Sequence, residues 1–168
     1  MRLFDRKLKE QFKRYSLQCA LATLVVLGIF FVLDLLLHPA LVSSLGATTF
    51  IVFAMPHSRT ARARSLLGGY LLGTLCGTLC SLAAHGAALG VAIGLTARTQ
   101  VLIFGALAVG LTILAMVSMD AEHPPAAGLA LGFVADPWSW TTIVSVLAAI
   151  ALLTLSKHLL RHTLIDLV

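Results

Sequence analysis

Residues 65–97 contain no Asp, Glu, Lys or Arg. A helix made from such a run has no water-facing side, so it belongs in lipid or deep in a core. As one helix it would be about 50 Å long, against a hydrocarbon core of about 30 Å. It is predicted to break, and His85-Gly86 is the expected position. Residues 17–37 and 99–119 read as full spans. Residues 138–157 read as the last, opened by Trp138 and Trp140, which suit the interfacial aromatic belt. Residues 40–55 and 124–135 are apolar but short for crossing. Of 168 residues, 59% are apolar and 11% charged. A soluble domain carries about 25% charged residues. That contrast excludes a soluble globular enzyme, and the apolar content excludes a disordered chain. The expected fold class is all-α: one polytopic transmembrane bundle over residues 1–168, with four full spans and two short helices, broken or re-entrant. If the short helices cross, there are six crossings; the sequence leaves four and six both open.

Charge sets orientation. Arg2, Arg6, Lys7, Lys9, Lys13 and Arg14 precede the first span, and Arg59, Arg62 and Arg64 form a second basic group. Lys157 and Arg161 follow the last span, and Arg98 stands alone. Cations flanking apolar runs follow the positive-inside pattern, not a nucleic-acid face, so no nucleic-acid partner is expected. The N-terminus is placed in the cytoplasm and the chain in the inner (plasma) membrane. Leu3, Phe4, Leu8, Phe12 and Tyr15 recur at helical spacing among the first cations, which suits a short helix on an anionic leaflet. The first apolar run is longer than a signal-peptide h-region and does not read as cleaved.

The segments repeat in order: full span, short segment, full span, over 17–84 and again over 99–157. The junctions repeat too. Asp34 and His38-Pro39 lead into the first short segment, and Asp120, Glu122 and His123-Pro124-Pro125 into the second. An internal duplication is inferred, inverted if both short segments cross, as in secondary transporters. Gly69, Gly73 and Gly77 recur every four residues, as do Gly86, Gly90 and Gly94. Such spacing lets helix backbones approach closely, within one chain or in a homo-oligomer.

Chemistry concentrates at the short segments. A helix starting near Pro124 and Pro125 is expected to expose free N–H groups and its positive dipole end, which bind anions. Gly128 lies in its first turn. Ser44, Gly46 and Thr48 offer hydroxyls and a permissive backbone in the other short segment. These residues are the substrate-binding candidates, with His123 as a proton-dependent donor whose pKa Asp120 and Glu122 are expected to raise. Asp34, His38, His57, Asp120 and Glu122 are candidates for proton coupling or structure; an acid within a span is a functional candidate by default. No nucleotide-binding glycine loop, catalytic triad or HExxH motif is present. Cys19, Cys76 and Cys80 read as small hydrophobes. No catalytic residue, metal or cofactor is assigned.

His123-Pro124-Pro125, Ser44-Leu45-Gly46-Ala47-Thr48, Phe53-Ala54-Met55-Pro56-His57-Ser58, and Arg64 followed by Gly68-Gly69 and Gly73 occur in that family's order in a chain that resembles the HPP family of small integral membrane proteins. The likeness covers roughly residues 40–135. It implies four membrane-spanning helices and a transporter or channel for a small inorganic anion, with nitrite the leading candidate. Tyr70 stands where the pattern has His, and Arg62-Ala63 replaces Gln-Pro. A different class of reading is a non-transporting membrane module that binds or regulates a partner through its glycine faces.

Overall fold

The charge-free run breaks where its length demands. In the computed structural model, which describes residues 6–33, 39–86, 94–136 and 139–168, helix α3 (Ala63–His85) stops at Gly86. The other helices are α1 (Arg6–Leu33), α2 (Pro39–Ala54), α4 (Ala97–Ser118), α5 (Pro125–Ala135) and α6 (Trp140–Leu160), with a 3-10 turn at Arg59–Ala61. The described residues are all-helical and hold no strand. Four helices are long and apolar enough to cross a membrane: Gln11–Leu33 within α1, then α3, α4 and α6. The two short apolar helices, α2 and α5, fall between them. Asp34, His38, Gly90, Trp138 and residues 1–5 lie outside the described residues.

One boundary differs from the sequence expectation. From Arg6 the described part of the basic segment is helical, as its spacing suggested, and a kink at Gln11 (φ −120°, ψ 21°) separates it from the first span. The span candidate begins at that kink, before residue 17.

Helix α5 is the centre of the bundle. It packs against α2, α3 and α4 and buries most of its length, including Leu129, Phe133 and Val134. Small residues make this possible. A Cβ at Gly73 would run into the Ala126 carbonyl oxygen, and one at Gly77 would lie 2.8 Å from Ala130 Cα. The α3 glycines are therefore filled by α5 of the same chain, the close approach that small residues permit between membrane helices. Helix α3 also packs on α4 and α6, while α1 packs on α2 and α6. Outward faces carry large apolar side chains such as Phe31, Leu102, Leu114 and Leu159. Water would penalise such a surface and lipid accepts it.

Ends are tied by specific bonds. Helix α4 closes in a Schellman pattern: Ala121 N–H donates to Met116 O at 2.9 Å and Asp120 N–H to Val117 O at 3.4 Å. Asp120 holds the left-handed position (φ 52°) that glycine usually fills. Helix α6 opens with a capping box between Ser139 and Thr142. The tail after α6 is fastened by Gln18 of α1, which is buried. Its Nε2 donates to Ile165 O at 2.7 Å and to Phe53 O, and its Oε1 accepts from Ile165 N–H at 3.2 Å. Leu167 N–H donates to Ala54 O, and Tyr15 donates to Leu167 O, both at 2.8 Å.

Candidate functional site

The polar residues of the two short segments meet. Ser44 and Thr48 are one turn apart on α2 and so share a face. Ser44 Oγ donates to Pro125 O at 2.7 Å, fixing α2 to the start of α5. Thr48 Oγ1 lies 2.9 Å from His123 Nε2 and 2.8 Å from the Tyr70 hydroxyl, and Ser44 Oγ lies 3.1 Å from that hydroxyl. His123 Nδ1 is 3.0 Å from Thr60 O. The Tyr70 and His123 rings are tilted at 41° with centroids 5.6 Å apart. His123 and Thr48 are 0% exposed and Tyr70 1%. A buried network of this kind is stabilising only when each member is satisfied, and here each has a partner.

Proton positions follow from these contacts. A carbonyl can only accept, so Nδ1 carries the proton and donates to Thr60 O. In a neutral ring Nε2 then accepts the hydrogen bond that the Thr48 hydroxyl donates. Tyr70 in turn donates to Thr48. A protonated ring would reverse one link. Nε2–H would donate to Thr48, whose hydroxyl would turn to Ser44 O, 3.0 Å away. The same atoms thus support two hydrogen-bond directions.

Two expectations about this region are corrected. Asp120 and Glu122 do not raise the pKa of His123. Both face Arg59: Asp120 Oδ1 accepts from its Nη2, and Glu122 Oε2 is 3.7 Å from its Nε. His123 lies in the link between α4 and α5, and burial pushes its imidazole down to about 4, against a smaller upward pull from Thr60 O. The Arg59 hydrogen bond and charge hold Asp120 below the usual carboxylate range. The start of α5 also offers no free donor cradle. Pro124 and Pro125 have no N–H. Ala126 N–H donates to His123 O at 2.9 Å and Ala127 N–H to Pro124 O at 3.1 Å. The orphan donors of an ordinary helix start are absent or already engaged.

The other candidates are placed as follows. Gly46 and Gly128 are exposed, with nothing near the position of a Cβ, so they face away from the network. Pro124 is exposed and Pro125 buried. His57 is an outer residue whose Nδ1 pairs with Asp166 Oδ2 at 3.2 Å. Asp34 and His38 fall outside the described residues.

Sequence reasoning singled out Tyr70 only as a departure from a pattern, yet it touches three members of the network. Its signal was a phenol inside a charge-free helix, since a buried Tyr hydroxyl usually finds a partner. The polar face continues beyond it. Tyr70, Thr74, Thr78, Ser81 and His85 fall on one side of α3 at spacings of three and four. This file is about 22 Å long. The Thr74 and Thr78 hydroxyls are buried and have no hydrogen-bond partner. At the far end His85 Nδ1 is 3.0 Å from Ser81 O.

No curated protein and no solved structure matches the chain. The family model described as HPP, transmembrane region, matches residues 8–164. With nearly the whole chain covered, and with its His-Pro-Pro at the meeting point of the short helices, this membrane protein belongs to the HPP transmembrane family.

Proposed function

We propose that this protein is a transporter or channel for a small inorganic anion, with nitrite the first candidate. One observation carries the reading: the buried Thr74 and Thr78 hydroxyls have no partner and lead away from the Ser44–Thr48–Tyr70–His123 network along α3. Unsatisfied hydroxyls in apolar surroundings are costly. They are also neutral donors at membrane depth, which can hold an anion without trapping it. The packed network closes one end of this file, so conduction requires it to open. Its two hydrogen-bond directions supply a two-state element that protonation of His123 would bias. The positive-inside pattern supports a cytoplasmic N-terminus in the inner membrane. The glycine-face alternative is weakened because Gly69, Gly73 and Gly77 already meet α5 or the link before it. A homo-oligomer using glycines would instead use outward ones such as Gly28, Gly46, Gly110 and Gly128.

The test is uptake of nitrite and nitrate into proteoliposomes, with and without a pH gradient, for wild type, His123→Ala and Thr74→Val. The Thr74→Val change keeps the shape and removes an unsatisfied group, so the protein should melt at the same temperature or higher. Uptake that this variant loses supports the path along α3. Wild-type uptake of neither anion, from folded and oriented protein, removes the nitrite reading.

A further inference from the structure

A second site lies at the basic end of the bundle, apart from the buried network. A cavity of about 570 Å³ opens between α3 and α6. Leu67, Ala151, Leu155 and Leu164 give it apolar walls. Ala151 and Leu155 are exposed on the outer face of α6, so the cavity opens toward lipid. Toward the end of α6 the lining becomes polar and basic, with Lys157, His158 and Arg161, and His57 stands at the same mouth.

The charges there are not cancelled. The nearby acid is Asp166, which pairs with His57 and also draws on Lys157. Lys157 and Arg161 against one carboxylate leave the mouth positive even with both histidines neutral. Lys157 commits one ammonium proton to Ala61 O and has three to give. Arg161 donates through Nε to His162 Nε2 at 3.2 Å, which leaves its two terminal amino groups for another acceptor.

Deeper in the cavity is a polar group without a partner. Thr154 Oγ1 lines the cavity, is buried, and has no hydrogen bond. Along α6 it sits about 4.5 Å below Lys157 and about 10 Å below Arg161. An occupant that satisfies all three zones has an anionic head, an ester-type oxygen a few ångströms deeper, and a hydrocarbon tail. A phospholipid has that order, and basic pockets between membrane helices take such head groups. A soluble anion would leave the apolar walls unmet. A zwitterionic lipid would bring its own cation up to Lys157 and Arg161.

We propose that the α3/α6 cavity binds an anionic phospholipid. The phosphate sits on Arg161 and Lys157, an ester carbonyl accepts from the Thr154 hydroxyl, and an acyl chain lies along Leu67 and Leu155.

The experiment is thermal melting of the full chain in detergent, with native mass spectrometry of retained lipid. Phosphatidylglycerol is compared with phosphatidylcholine of the same acyl chains. Phosphatidylglycerol should raise the melting temperature and stay bound, and phosphatidylcholine should do neither. Exposed Arg161 and His158 can be changed without disturbing the core. Together, Arg161→Gln and His158→Gln should weaken phosphatidylglycerol binding by about fivefold or more. Arg98→Gln, on α4 away from this mouth, should leave it unchanged. Leu67→Trp, which fills the cavity and keeps the basic mouth, should also lose the lipid. Equal effects of the two lipids would overturn the proposal, as would undiminished binding in the Arg161 and His158 variant. The same shift from glycerol 3-phosphate or inorganic phosphate alone would make this a soluble-anion site instead. A concentration-dependent dimer that excludes the lipid would assign the cavity to a second copy.

Discussion

His123 is held neutral by its surroundings, and that gives stability a pH dependence. Its pKa is about 4 in the folded protein against an ordinary 6.5. Above pH 6.5 the ring is neutral folded or unfolded, so it adds no slope. Between 6.5 and about 4 the unfolded chain binds a proton that the folded one does not, so stability falls as pH falls. The full difference is about 3 kcal/mol. Melting in detergent from pH 8 to 4.5 should show that decline, and His123→Gln should flatten it. Asp120 acts in a separate window: its depressed pKa contributes stability that is lost only below the ordinary carboxylate range. The sequence made His123, Ser44 and Thr48 readable because polar side chains in apolar segments need partners. Part of the rest was readable by angle. Gly46 lies two residues, about 200°, from Ser44 and Thr48 on a helix, so it could not share their face. The Thr60 carbonyl had no residue-level signal, because a backbone acceptor carries no identity.

Glycine spacing on α3 was legible, and what it packs against was not, since the same pattern serves contacts within and between chains. The packing separates the glycines into two classes. Gly73→Ala would drive a methyl into the Ala126 carbonyl, at a cost of about 1–3 kcal/mol or more. Gly110→Ala on α4 and Gly46→Ala on α2 meet open space, and should be neutral or stabilising by up to about 1 kcal/mol. Thermal melting of the three variants side by side checks the division. The end of α4 provides a second test. Asp120→Asn keeps a residue tolerant of positive φ while removing the charge that faces Arg59. The pair is exposed and screened by solvent, so the change should leave the melting temperature nearly unchanged. Asp120→Val places a β-branched residue in the same conformation and should cost more, about 1–3 kcal/mol. Most helix ends were readable within a few residues because charges or prolines flank them, while the end of α3 was readable from the length of its charge-free run. The kink at Gln11 was not, because no glycine or proline marks it in the basic segment.

At the scale of the whole chain, α1 is the least buried of the long helices, and Gln18 is its main polar tie. Replacing it, Gln18→Leu, would leave Ile165 N–H, Ile165 O and Phe53 O without their side-chain partner. The expected cost is about 1–3 kcal/mol, with faster proteolysis of residues 163–168 as the direct readout. A lone glutamine in the first span is visible in sequence. Its partners are not, because they lie 35 and 147 positions away and are backbone atoms. That separation also has a meaning for biogenesis. During synthesis the Gln18 amide enters the bilayer well before residue 165 exists. At ordinary ribosome speeds the gap is on the order of ten seconds. Phe53 O can take one amide proton after 35 residues, but until residue 165 the Oε1 and the other proton must be sheltered by the insertion machinery or by water at the membrane surface. The tie between the first helix and the tail is therefore closed last, and the moment of its closing is set by translation.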